Sequence, residues 1–163
     1  MKEVSSPLAA EMSGHIMFAD RALGFDDAIY AGLRFFGILS TMDMPLEDWV
    51  DKQPKRFISQ LCKIPTTKKF ELIKLLKKRM VKLKKSFLSI DGIRFETKGG
   101  WWLVRASNTE ECIVCRVEGK TYKDLCILVK DLIEMLQQIG LKEAIEVNNL
   151  ISEYINQNSY KNA

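Results

Sequence analysis

The stretch from Phe57 to Gly140 constrains the fold most, because its apolar residues change period from element to element and so set both the kind and the order of those elements. A short strand is expected at FISQLC. Pro65, Thr66 and Thr67 then open a long helix through KKFELIKLLKKRMVKL, with Phe70, Ile73, Leu76 or Met80, and Leu83 as its buried stripe. Three strands follow, LSIDGIRFET, WWLVRAS and ECIVCRVEG, joined by turns at Lys98-Gly99-Gly100 and Ser107-Asn108-Thr109-Glu110. A last helix starts at Thr121, where Thr121 and Asp124 supply capping groups. It carries Leu125, Leu128, Val129, Leu132, Leu136 and Ile139 on one face before Gly140 ends it. Strand, helix, three strands, helix is the order of a two-layer α+β domain over residues 57–140: an antiparallel four-stranded sheet with both helices packed on one face.

Residues 1–40 follow a different pattern. SSPLAAEMSGHIMF suggests two short strands around a tight polar loop at Ser13-Gly14, and a helix follows. Asp26 and Asp27 are expected at that helix's start, with Ile29, Leu33, Phe36 and Ser40 at the spacing of one face. This piece is too small to be a domain and would expose Phe35, Phe36 and Leu39, so it reads as the tail of a larger α/β layer. Residues 41–56 are mostly polar, hold two of the four prolines and show no period, as a linker would. Residues 141–163 read as a terminal amphipathic helix followed by a frayed tail.

With 163 residues, 47% hydrophobic and 28% charged, the chain can bury one core or one and a part. No run approaches the roughly 20 apolar residues of a membrane span, and the first residues lack the apolar core of a secretory signal. The expected compartment is therefore the cytoplasm, where Cys62, Cys112, Cys115 and Cys126 stay reduced. Cys112 and Cys115 form a CxxC spacing inside a strand, where side chains three apart point to opposite faces. They are expected to be core residues and not a metal or redox pair. The net charge of +4 is concentrated between Lys63 and Lys85. Lys74, Lys78 and Lys82 recur there at helical spacing, a pattern that fits either a solvated helix face or, less well, a surface for nucleic acid or another polyanion.

Two polar loops interrupt apolar segments with groups that bind oxygen-rich anions and hydroxyls. In Arg105-Ala106-Ser107-Asn108-Thr109, an arginine fork, two hydroxyls, an amide and turn N–H groups make a phosphate cradle. A polar hairpin turn with an exposed arginine explains the same residues. In Glu11-Met12-Ser13-Gly14-His15, the carboxylate can accept from two neighbouring sugar hydroxyls, Ser13 can assist, and His15 can carry a proton or donate to phosphate. An ordinary turn with a lone histidine is the alternative.

The strings AEMSGHIMF, GFDDAIYAGLRFFGIL and DGIRFETKGGWWLVRASNTEECIVCRVEG resemble, in order, three parts of the α-D-phosphohexomutases of the phosphomannomutase/phosphoglucomutase kind. These are the sugar-binding loop, the helix after it and the C-terminal phosphate-binding domain. The pairing of an EMSGH loop with an RxSNT loop roughly ninety residues later is what makes the resemblance specific. It implies that Glu11 and Ser13 hold sugar hydroxyls, and that Arg105, Ser107, Asn108 and Thr109 hold the phosphate of a mannose or glucose 1- or 6-phosphate. It assigns no catalytic residue, although His15 is a candidate contributor. Ala10 stands where the family usually has glycine, and Glu111 where proline is common.

The family moves a phosphoryl group between positions 1 and 6 of a hexose through a phosphoserine in a TASHNP-like loop, with Mg²⁺ in a DGDGDR-like loop. Neither string occurs here. The resemblance thus implies a fragment, inactive alone, that supplies substrate binding to separate N-terminal mutase domains. It implies no metal or cofactor site in this chain and Mg²⁺ in the complete enzyme. Met1 falls where the family has an internal residue, as expected of a shortened reading frame or a cut chain. A free-standing phosphosugar-binding module is the second expectation.

Overall fold

The structure is a computed structural model that describes residues 1, 5–11 and 13–141. The expected helix and tail after Leu141 lie outside the described residues. The chain divides into two units, Met1–Pro54 and Lys55–Ala163.

In the first unit, β1 (Leu8–Ala10) and β2 (Ile16–Phe18) pair antiparallel with Ala10 opposite Ile16, leaving Glu11 to His15 as the connecting loop. Helix α1 (Ala28–Leu39) begins at Asp27, whose carboxylate accepts the Tyr30 N–H at 2.9 Å. Both aspartates were expected at this helix start, but the structure separates them, because Asp26 turns back to His15. Phe18 and Tyr30 meet edge to face at 5.7 Å. Over Phe18, at 4.5 Å, lies the Arg34 guanidinium, which also donates to Asp20 at 2.9 Å. That contact holds the Asp20 carboxyl below its ordinary range.

The opposite face of α1 is uncovered: Leu33 is 66% and Phe36 68% exposed, and Ile29 and Phe35 are exposed with them. Leu39, expected on that face, is half-buried instead. Within residues 41–56, where the sequence shows no period, Leu46–Asp51 forms a short helix, α2, with Glu47 and Asp48 favourably placed in its first turn.

The second unit contains β3 (Phe57–Ile58), β4 (Cys62–Pro65), α3 (Lys69–Lys82), β5 (Phe87–Leu88), β6 (Ile93–Thr97), β7 (Gly100–Ala106), β8 (Cys112–Gly119) and α4 (Tyr122–Gln138). All six strands join one antiparallel sheet in the order β3-β8-β7-β6-β5, with β4 also paired to β8.

The four-stranded sheet expected from the sequence differs from this at two places. FISQLC is not one strand: the edge breaks between β3 and β4, and Ser59 spans the break by donating its backbone N–H to Val117 O and accepting the Val117 N–H on its hydroxyl. LSIDGIRFET folds into the small hairpin β5–β6, because Asp91-Gly92 makes a turn with Gly92 at φ +91°.

Alternation along the strands sets the faces. Trp102, Val104, Ile113, Cys115 and Val117 point to one side and form the core with Leu72, Leu76 and Met80 of α3 and with Leu125, Leu128, Val129, Leu132 and Leu136 of α4. The stripe expected on α3 is therefore corrected: Phe70 is exposed because it sits on the far side of the helix from Leu72 and Leu76, and Leu83 lies past the helix end. Trp102, fully buried, donates its indole N–H to Asp131 at 2.8 Å, and Lys85 bonds the other oxygen of that carboxylate at 2.6 Å. The start of α4 carries the expected capping box between Thr121 and Asp124, and Gly140 ends the helix at φ +91°.

Arg105 lies on the other face of β7, away from the helices, between Val104 and Ala106 of the core face. Cys112 and Cys115 likewise fall on opposite faces of β8. Both are buried, as expected, and Cys115 lies in the cluster that faces the helices, where burial pushes its thiol well above the ordinary range.

Candidate functional site

The two polar loops belong to different units, and each is built by its own short-range geometry. In the Glu11–His15 loop the Glu11 N–H donates to His15 O at 2.8 Å and the Gly14 N–H to Glu11 O at 3.0 Å, closing the hairpin. Gly14 takes φ +91°, a conformation that residues with side chains rarely adopt. The Ser13 hydroxyl donates to Glu11 Oε2 at 3.1 Å, so the two residues expected to hold sugar hydroxyls already stand side by side in the open. His15 is also exposed, and its Nδ1 is 2.5 Å from Asp26 Oδ2. That contact turns one ring nitrogen to the carboxylate and leaves Nε2 to face outward, an arrangement the sequence did not suggest.

The second loop grows out of the β7–β8 hairpin. Arg105 is its first member, with a half-exposed side chain whose Nη1 donates to Asp91 Oδ2 at 3.2 Å. The Asp91-Gly92 turn supports it from beneath: a Cβ on Gly92 would stand 2.2 Å from Val104 O and 2.7 Å from Arg105 Cβ. Ser107 is buried, with its N–H on Cys112 O at 3.0 Å and its hydroxyl accepting the Glu110 N–H at 3.2 Å. Its oxygen therefore also shapes the turn, a role the sequence did not suggest. Asn108 and Thr109 are exposed at the tip.

The far side of the turn is tied to the α3 end of the sheet. Thr66 N–H donates to Glu111 O at 2.8 Å, Lys63 Nζ is 2.7 Å from Glu110 Oε1, and Lys69 Nζ donates to Glu110 O at 2.8 Å. The Lys63–Glu110 contact lowers the Glu110 carboxyl and raises the Lys63 amine from their ordinary values.

Chemically, this second loop offers a half-exposed guanidinium and, at its exposed tip, an amide and a hydroxyl, groups suited to phosphate oxygens. Asp91 and Gly92 escaped the sequence reading, and Lys63 and Lys69 entered it only as members of the basic run. The Asp91-Gly92 dipeptide is a turn signal that could have been found inside LSIDGIRFET, whereas nothing in the sequence separates Lys69 from the lysines around it. For the Mg²⁺ that the resemblance implies in a complete enzyme, the present donors do not fit. Asp27 caps α1 and Asp26 holds His15, and among the described residues no three His, Cys, Asp or Glu side chains gather to hold a metal ion.

Comparison with known proteins matches both units. Residues 1–57 match the family model for the phosphoglucomutase/phosphomannomutase alpha/beta/alpha domain III, and residues 61–135 match the model for the C-terminal domain of the same family. A phosphomannomutase/phosphoglucomutase of Pseudomonas syringae pv. tomato is 39% identical over 77% of this chain and 27% of the relative. A phosphoglucomutase of Neisseria gonorrhoeae is 35% identical over 74% of this chain, again 27% of the relative. The crystal structure of a phosphoglucomutase/phosphomannomutase family protein from Burkholderia thailandensis superposes with a TM-score of 0.73 at 31% identity, covering 85% of this chain and 29% of that one. The chain thus spans about a quarter of the length of the relatives it matches. With two successive domain models of one family matched in order and a solved structure of that family superposing on the same fold, the chain belongs to the α-D-phosphohexomutases, as a C-terminal part of a phosphomannomutase/phosphoglucomutase.

Proposed function

We propose that this chain supplies the sugar- and phosphate-binding loops of a phosphohexomutase that interconverts hexose 1-phosphate and hexose 6-phosphate, and that it is inactive without the phosphoserine and Mg²⁺ loops of the missing domains. Glu11 and Ser13 would hold sugar hydroxyls, Arg105, Ser107, Asn108 and Thr109 the phosphate, and His15 would stand near the reacting groups. The observation that carries this reading is the turn after β7. Arg105 is braced by Asp91 yet half-exposed, beside the exposed Asn108 and Thr109. Ser107 accepts the Glu110 N–H, a contact that orients its hydroxyl, whose O–H would be the donor to the phosphate. The missing domains, on this reading, cover the apolar face of α1 and hold the Mg²⁺. The substrate on this reading is a mannose or a glucose 1- or 6-phosphate.

The test is a calorimetric or NMR titration of the folded chain with glucose 1-phosphate and mannose 1-phosphate, with R105A as control. Saturable binding that R105A abolishes supports the reading, and no binding up to millimolar sugar phosphate refutes it for the isolated chain. A free-standing phosphosugar-binding module is the second reading. It predicts a monomer in sedimentation, whereas the exposed Leu33 and Phe36 favour a fragment that self-associates until its complementary domains are added. The exposed stripe of Lys74, Lys78 and Lys82 has no aromatic residues interleaved, which favours a solvated helix face over a polyanion site. Among the described residues no helix is long and apolar enough to cross a membrane.

A further inference from the structure

Lysine is almost never buried unless a partner compensates its charge. Among the described residues only three polar or charged side chains are buried, Ser59, Lys69 and Ser107, and two of them, Lys69 and Ser107, bond the same residue, Glu110. Ser59 is accounted for by the break in the edge strand. Ser107 shapes the turn from within. Lys69, the first residue of α3, is 8% exposed and sends its ammonium to the turn's far side, 2.8 Å from Glu110 O and 3.5 Å from Glu111 Oε1.

From this geometry we infer that Lys69 is a positioning residue of the Ser107–Glu111 turn, fixing its shape through the Glu110 carbonyl and offsetting the negative charge that Glu111 places beside an anion-binding loop. The inference rests on the phosphate-binding reading of that turn. Two features set Lys69 apart from a lysine that merely packs. Its acceptor is a backbone carbonyl of the turn itself, and the same residue, Glu110, donates its N–H to Ser107 Oγ at 3.2 Å. Lys69 and Ser107 therefore hold Glu110 from two sides, one at its carbonyl and one at its N–H, in the two peptide groups that flank its Cα, and losing the ammonium releases one of the two anchors that fix this residue in the turn. The second feature is charge: Glu110 and Glu111 directly follow Asn108 and Thr109, and two carboxylates there would repel a phosphate. Lys63 takes the Glu110 carboxylate at 2.7 Å and Lys69 faces that of Glu111.

The experiment compares the full chain with K69M, which keeps the aliphatic stem, and K69R, which keeps the charge. Two readouts are taken: amide hydrogen exchange, and the affinity for glucose 1-phosphate. In K69M the Glu110 and Ser107 amides are expected to exchange at least about tenfold faster while Val114 and Val117 in β8 stay protected, and affinity is expected to fall about tenfold. K69R is expected to recover most of both. Unchanged exchange at Glu110 and Ser107 in K69M would overturn the inference. So would faster exchange spread evenly through β8, which would make Lys69 a general stability residue. If the parent chain binds no sugar phosphate, the proposed function falls, while the exchange comparison still decides whether Lys69 shapes the turn.

Discussion

Arg105 and Asp91 lie fourteen residues apart on neighbouring parts of the sheet, and Arg105 Nη1 donates to Asp91 Oδ2 at 3.2 Å. Both side chains are partly in water, so the pair adds little stability and serves chiefly to aim the guanidinium. D91N keeps an acceptor at that place and removes a negative charge next to the proposed phosphate. Stability is expected to change by less than about 1 kcal/mol, and the affinity for glucose 1-phosphate to rise by up to about fivefold, as one exposed like charge is removed. R105A, by contrast, should leave the fold intact and lower affinity at least about tenfold. Titration calorimetry on both variants, with urea unfolding alongside, checks the pair.

Gly92 has the opposite balance. Its φ of +91° disfavours any side chain, and a Cβ there would stand 2.2 Å from Val104 O. G92A is expected to destabilise the second unit by about 2–4 kcal/mol, from backbone strain and displacement of β7 together. The measurement is the urea midpoint, and resonances of Arg105 and Ala106 should shift before those of α4.

The Lys63–Glu110 contact predicts a pH window. The Glu110 carboxyl is lowered from its ordinary 4.5 by the Lys63 hydrogen bond, so its contribution is present above pH 4.5 and lost as pH falls through the depressed folded-state value. The Lys63 amine is raised from 10.5, so its contribution is present below pH 10.5 and lost as pH rises through the elevated value. The contact is therefore expected to persist unchanged between those limits. A carbon-detected NMR titration of the Glu110 carboxyl, which should move below 4.5 and return toward it in K63M, is the check.

Cysteine reactivity should follow burial and not the CxxC spacing. Cys62, Cys112 and Cys115 are buried, and Cys115 is held as a neutral thiol by desolvation, while Cys126 is partly exposed. Brief alkylation of the native chain with iodoacetamide is expected to label Cys126 first, with the other three reacting only after unfolding. Peptide mass spectrometry reads the order, and early labelling at Cys115 would contradict the packing described here.

Much of the second unit was legible beforehand. The capping box at Thr121 and Asp124, the turn at Lys98-Gly99 and the opposite faces of Cys112 and Cys115 follow from local rules: residues three or four apart in a helix share a face, and alternate residues in a strand do. The RASNT and EMSGH strings marked both loops for the same reason, since each is built from consecutive residues.

What local pattern could not reach was anything set by distant partners. Phe70 and Leu83 are as apolar as Leu72 and Met80, and only the sheet's position beneath α3 decided which of them are buried. Asp26 looked like a capping residue until the hairpin brought His15 to it. That Ser107 accepts the Glu110 N–H within the turn, and that Lys69, one lysine of a basic run, sits beside the Glu110 carbonyl, was set by the fold alone. Hydrophobic period and turn chemistry, which act over a few residues, marked most of the elements, their order and the two loops, but not the break inside FISQLC, the β5–β6 turn or α2. Only the folded chain selected which side chains shape the Ser107–Glu111 turn and which remain exposed on it, because those contacts join residues whose separation along the chain carries no periodic signal.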